Sequence, residues 1–473
     1  MLFNSTTFIV FFVTIFAVYY VTKSWKARKI VLLIGSYLFY AAWNPPFILL
    51  LWLSTYMDFY LHKKIYYIEN KSKKNLLLLI SLVTNLGLLF FFKYGDFLLH
   101  NFQLIANAVG IKFESTSMGI ILPVGISFYT FQTLSCVLES YYGKQKPVES
   151  QLDFALYVAF FPQLVAGPII RVEDIVPQFK EPKYLDFKKL SWGLFLFTVG
   201  LFQKMVIADT LLSPISDSIF NFEGLPNIID SWLGVLAFSG QIFCDFAGYS
   251  TCAIGISLCL GFTLPDNFKS PYASLGFSDF WKRWHITLST WLRDFLYIPL
   301  GGNRKGSART FINLMITMFL GGLWHGANWT FVVWGLLHGF YLVLERIVKS
   351  LFGNSNLKNN SIIQLFLIIL TYFFVCIAWV FFRSKDFASA GKMLFSMFCG
   401  YNKGAVILNG TSLLIGSVTI IGLFATHLFF RNKSLDSFIE KKPAAFIIGL
   451  WLIMLFSIIL TQGSSNAFIY FQF

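Results

Sequence analysis

Two histidines carry the chemistry that this sequence offers. His285 lies in FSDFWKRWHITLSTWLRDFLYIPLGGNR, and His325 follows it in MFLGGLWHGANW. A neutral imidazole, with a reference pKa of about 6.5, can take a proton from a hydroxyl near neutral pH. That suits a hydroxyl attacking a thioester, with one imidazole as general base. The second imidazole, or Asn328, can orient the base or steady the oxyanion. Rival chemistries lack their parts. No HExxH is present, two histidines fall short of a metal site's ligand count, and no metal is assigned. The nucleophile elbow G-x-S-x-G is absent, as is the series of carboxylates a proton pump needs.

The surroundings of the two imidazoles differ. Around His325, Gly321 and Gly322 precede and Gly326 follows. This reads as a break in an apolar run where a substrate approaches the backbone closely, with Trp324, His325 and Asn328 lining a pocket. If the chain is helical there, Asn328 shares the face of His325. Around His285, Trp281, Trp284, Leu288, Trp291, Leu292 and Phe295 recur at three- and four-residue spacing. This predicts one amphipathic helix, N-capped at Ser278–Asp279, with His285 on the face of Trp281 and Leu288. Its charges favour an interfacial or re-entrant helix over a span. The ordinary alternative for His285 is a core histidine bonded to backbone. Arg283, Trp284 and Asp245, a carboxylate inside the apolar QIFCDFAGYS, are further candidates for lining the pocket. In IPLGGNRKG, Arg304 with Lys305 and Arg309 reads as a basic rim for an anionic donor, or else as a solvated turn. His338, 13 residues past His325, is expected to face away from it and to serve packing; His62, His100 and His427 are given no role.

These residues need a scaffold, and the composition says which kind. The chain has 473 residues, 56% hydrophobic and only 13% charged, with a mean hydropathy of +0.66. Soluble domains carry roughly 25% charged residues, so an all-α polytopic membrane protein is predicted, as one domain. About a dozen apolar segments are expected, among them 6–21, 30–43, 46–61, 75–92, 118–142, 152–166, 191–212, 229–262, 327–348, 361–382, 410–430 and 444–462. The stretch 95–110 reads as interfacial, and the first segment as a retained helix rather than a signal peptide. The net charge of +14 resides in short loops, which points to the positive-inside bias and not to nucleic acid. Loops 22–29 and 62–74 are then cytoplasmic and the N-terminus outside. Cys244, Cys252 and Cys259 fall on one helical face and read as packing.

Several long motifs occur in order: LPVGISFYTFQ, FFPQLVAGPI, QIFCDFAGYS, LGFTLPDNFKSPY, FWKRWHITLSTWLRDFLYIPLGGNR, GGLWHGANWTFVVWGLLHG and the terminal NAFIYFQF. Together, and most densely over 241–340, they resemble the membrane-bound O-acyltransferases, in the bacterial branch acting on alginate and peptidoglycan. The resemblance implies a ring of tilted helices around a central tunnel. It also implies that His325 is the catalytic histidine and that His285 takes the position of the second functional residue. An acetyl group would pass from a cytoplasmic thioester, acetyl-CoA or another, to an exported polysaccharide. An extracytoplasmic SGNH-hydrolase-type partner and the polysaccharide-synthesis machinery would complete the system in the bacterial inner membrane, with no bound cofactor. Peptidoglycan acetylation and D-alanyl transfer to teichoic acid are the related alternatives, and an acyl-group transporter is the non-enzymatic one.

Overall fold

The computed structural model describes residues 1–114, 116–353, 360–399, 404–461 and 468–469. The chain is all-helical among them, with one isolated bridge, Pro226 to Ala405, and no strand. Among the described residues, six helices are long and apolar enough to cross a bilayer: Lys71–Ala108, Phe187–Phe220, Ile228–Cys259, Trp329–Leu351, Ser361–Arg383 and Gly410–Phe430. Shorter apolar helices, such as Thr6–Val21 and Ala444–Leu460, accompany them. Of the terminal motif NAFIYFQF, only Phe468 and Ile469 fall within the described residues.

Two compact units form. One comprises Met1–Phe197 with Cys252–Pro265, the other Thr198–Thr251 with Asp266–Phe473. In the first, Lys71–Ala108 is one 38-residue helix rather than a span followed by an interfacial piece at 95–110. No proline interrupts it, and an interior glycine such as Gly87 costs only about 1 kcal/mol. Conversely, the 118–142 segment is helical only over Ile126–Tyr141, and 152–166 is broken at Phe160, just before Pro162. Lys26, Arg28 and Lys29, expected in a loop, sit in the helix Trp25–Ala41, where Lys29 is buried against Asp153 at 2.5 Å.

The same unit buries a polar cluster among apolar helices. The Asp58 carboxylate accepts from Ser81 Oγ (2.7 Å) and Asn85 Nδ2 (2.8 Å), and Ser54 Oγ donates to Asn85 Oδ1. One turn on, His62 Nε2 accepts the Val148 backbone N–H at 3.1 Å, so Nδ1 carries the proton and donates to the Asp58 carbonyl at 2.8 Å. Buried polar groups are tolerated when bonded in this way.

The second unit is organised by an aromatic core. Phe238, Phe243, Tyr272, Phe280, Trp284, Trp334, Trp379 and Phe382 are all buried in it. Helices Gly306–His325 and Trp329–Phe352 pack there at glycine contact. A Cβ on Gly322 would run into the Phe331 carbonyl oxygen, and one on Gly335 into that of Met318. The helix therefore continues through Gly321–Gly322 to His325. Gly322 and Gly335 bring the two helices together, and the Gly321–Gly322 pair does not break the chain. The interruption comes later, at extended Gly326 (φ −169°) and at Asn328, which starts the next helix.

Candidate active site

The predicted helix through His285 is in fact two short helices, Phe277–Trp281 and Ile286–Leu292, followed by wider π turns over Arg293–Tyr297. At about 1.5 Å per residue neither piece can cross a membrane. The first is capped not by Ser278 but at Gly276, and Glu345 on the Trp329–Phe352 helix accepts the Ser278 N–H at 2.8 Å. An anionic acceptor from a neighbouring helix thus replaces the local cap. The break falls on His285 itself, at φ 42° and ψ 57°. A non-glycine residue there is strained by about 1–3 kcal/mol, and such strain clusters at functional sites. Apolar periodicity could not show this, because the aromatic spacing continues across the break.

The strained residue is pinned by Asn267. The Ile286 N–H donates to the Asn267 carbonyl at 2.9 Å. The Asn267 side-chain Oδ1 lies 3.3 Å from Thr287 N, 2.9 Å from Thr287 Oγ1 and 3.1 Å from His285 Nδ1. Its Nδ2 donates to Ser250 Oγ at 3.2 Å. Around the ring stand Phe246 (centroids 4.6 Å apart), Phe268 (6.4 Å) and Trp324 (5.9 Å).

His325 ends its helix and is 3% exposed. Its ring meets Trp324 at 5.1 Å, Trp334 at 4.8 Å and Phe382 at 5.3 Å, all near edge-on. The Trp324 indole is thus a wall common to both imidazoles. His338 does not face away as expected: its ring lies 4.8 Å from Trp334, which also touches His325. The pitch argument fails because the chain reverses at Gly326–Asn328, which puts the two histidines on different helices.

The remaining candidates divide. Trp324 contacts both imidazoles. Trp284 is buried one ring behind His285, packed on Phe268 at 5.1 Å and Trp379 at 5.1 Å. Asn328 shares no helical face with His325. It is a helix cap whose Oδ1 accepts from Thr330 N (3.0 Å) and whose Nδ2 donates to the Lys385 carbonyl (2.8 Å). Arg283 ties its segment down, bonding Asp279 Oδ1 at 2.9 Å and the Lys269 and Arg431 carbonyls. Arg304 is exposed in the turn after residue 300. Asp245 is one residue from the site wall Phe246 but is engaged in a buried trio. Lys204 Nζ lies 2.5 Å from Asp245 Oδ1 and 2.9 Å from Asp209 Oδ1, and Asp245 Oδ2 accepts the Ile469 N–H at 2.7 Å. Among the described residues no group of three His, Cys, Asp or Glu side chains could hold a metal ion. Sequence reasoning missed Asn267, a lone polar residue in LPDNFKSPY with no periodicity to single it out.

A helical membrane scaffold burying two imidazoles that share Trp324 as a neighbour fits an acyl-transfer protein, and the comparisons agree. The membrane-bound O-acyltransferase family profile matches residues 148–385, and the chain belongs to that family of acyltransferases. A probable alginate O-acetylase of Pseudomonas putida is 36% identical over 496 residues, covering 100% of both chains. A peptidoglycan O-acetyltransferase of Helicobacter pylori is 38% identical over 444 residues, 87% of this chain and 81% of the relative. A teichoic acid D-alanyltransferase of Streptococcus thermophilus is 29% identical over 270 residues, 53% of this chain and 63% of the relative.

Proposed function

We propose that this protein transfers an acetyl group from a cytoplasmic thioester, acetyl-CoA or another, toward the hydroxyls of an exported, alginate-like polysaccharide in the bacterial inner membrane. The observation that carries the reading is the pair of buried imidazoles that both pack against Trp324, in a chain 36% identical from end to end to a probable alginate O-acetylase. In the step proposed, His325 takes the proton of an attacking hydroxyl. The oxygen forms a bond to the acetyl carbonyl carbon, the carbon–sulfur bond breaks, and the leaving thiolate is reprotonated from the imidazolium. General-base assistance of this kind is worth about 10²–10⁴ in rate. Arg304, Lys305 and Arg309 form the cytoplasmic basic rim that draws in the anionic donor, and an SGNH-type partner outside receives the acetyl group.

The similar match to a peptidoglycan O-acetyltransferase supports cell-wall glycan as the second reading. Measuring ester-linked acetate on exopolysaccharide and on peptidoglycan, in cells with and without the chain, separates the two. Cells carrying His325→Ala at wild-type protein level are expected to lose the acetate. Full acetate with that variant would remove the enzymatic reading and favour a transporter.

A further inference from the structure

Building on the proposed role of the two imidazoles, we infer that Asn267 is a positioning residue that fixes the tautomer of His285. It makes Nε2 the lone-pair nitrogen, so His285 acts as a hydrogen-bond acceptor and not as an oxyanion donor. The assignment follows from one atom. The backbone N–H of Thr287 can only donate, and it points at the Asn267 side chain at 3.3 Å. The group it meets must therefore be the carboxamide oxygen, since the amide NH₂ would oppose donor to donor. Two further contacts agree. Thr287 Oγ1 donates to the same oxygen at 2.9 Å, and the other end of the amide, Nδ2, reaches Ser250 Oγ at 3.2 Å.

With the oxygen placed, His285 Nδ1, 3.1 Å away, must carry the ring proton. A neutral imidazole has one donor and one acceptor nitrogen, and the bond made by one nitrogen decides the other. Nε2 therefore holds the lone pair. When His285 accepts a proton there, the carboxamide oxygen still faces Nδ1–H, so the imidazolium keeps its orienting bond. The arrangement is not incidental to packing. Asn267 is 1% exposed, Ser250 2% and His285 0%. The Asn267 carbonyl also holds the Ile286 N–H just after the strained His285 backbone. One residue thus sets both the backbone turn and the ring proton.

Of the two tasks open to the second imidazole, steadying an oxyanion requires a donor nitrogen facing the substrate, and the neutral Nδ1–H form supplies none at Nε2. Accepting a hydrogen bond at Nε2 suits it, which is the orienting task, and the hydroxyl proton itself goes to His325.

The test is nitrogen NMR on the full chain in lipid bilayers with isotope-labelled histidine, the His285 signals being those lost in His285→Gln. Wild-type protein is expected to show the proton on Nδ1. Asn267→Leu should move it to Nε2 or give a mixture, and Asn267→Asp, which keeps an acceptor oxygen, should retain it on Nδ1. A wild-type His285 protonated on Nε2 would overturn the inference, as would a folded Asn267→Leu with the tautomer unchanged. If Asn267→Leu does not fold, the wild-type and Asn267→Asp spectra decide. Polymer acetate supplies the second readout: Asn267→Leu combined with His285→Ala should lose no more than His285→Ala alone, because the first acts only through the second. An additive loss would mean that Asn267 does not act through His285. If His285→Ala keeps full acetate while the spectra are as expected, the proposed function of His285 fails and the tautomer assignment stands.

Discussion

His62 and His285 are both fully buried imidazoles with the ring proton on Nδ1, yet they are held in opposite ways. His62 sits inside the regular helix Ile48–Tyr67 and commits both nitrogens to main-chain groups, Val148 N–H and the Asp58 carbonyl. His285 stands at a helix break in left-handed backbone, has its tautomer set by a side chain, and is walled by aromatic rings. Burial and a fixed tautomer therefore do not define a site. An imidazole bonded to backbone on both sides holds the fold. One kept in strained backbone beside a side-chain carboxamide fits the site role proposed for it.

The largest expected effect tests that contrast directly. His285→Ala and His325→Ala should each lower polymer acetate per molecule of protein by about 10²–10⁴, if general-base assistance is lost, with the folded amount little changed. His62→Ala should do the reverse. It leaves the Val148 N–H buried without its acceptor, a cost of about 1–3 kcal/mol, so abundance falls while acetate per remaining molecule holds. Quantitative immunoblotting alongside acetate release measures both. A catalytic loss with normal abundance in His62→Ala would break the comparison.

Next in size are the buried charges of the two units. Lys204→Met leaves Asp209 and Asp245 facing each other without their cation. Removing one member of a buried ion network costs about 3–5 kcal/mol. Lys29→Met strands only Asp153 and should cost less. Thermal unfolding of detergent-solubilised variants ranks the two, and an equal or reversed order would refute the charge argument.

The smallest effects concern glycines. Gly322→Ala forces apart helices in backbone contact and should destabilise by about 1–3 kcal/mol, as overpacking does. In the other unit, Gly87 has nothing within 4 Å of a would-be Cβ. Gly87→Ala should therefore stabilise slightly, by about 0.5–1 kcal/mol, through helix propensity. The same unfolding measurements apply, and a stabilised Gly322→Ala would show that the two helices do not need their close approach.

Much of this molecule is legible in one dimension. Hydropathy locates the six long apolar helices, because crossing a bilayer demands an uninterrupted run of about 20 apolar residues. The motifs around His285 and His325 likewise identify the family. Local pattern fails where a residue's partner is distant in sequence. Asn328 and Arg283 resemble site residues, yet their amide and guanidinium reach carbonyls of Lys385 and Arg431. Asp245 resembles an isolated intramembrane acid until Lys204 is found beside it.

The sequence by itself determined the class of solvent, the helical elements and the two imidazoles, since composition and period are properties of the chain alone. Tertiary structure decided the rest. It showed that Gly322 serves helix contact, that His338 lies against the same indole as His325, and that the amphipathic run breaks at His285. It also brought Asn267, a residue without any periodic signal, against that histidine's Nδ1. Each of these depends on hydrogen bonds or contacts between groups that only the folded chain brings within about 3–5 Å, the range over which a donor finds its acceptor and a ring finds its neighbour.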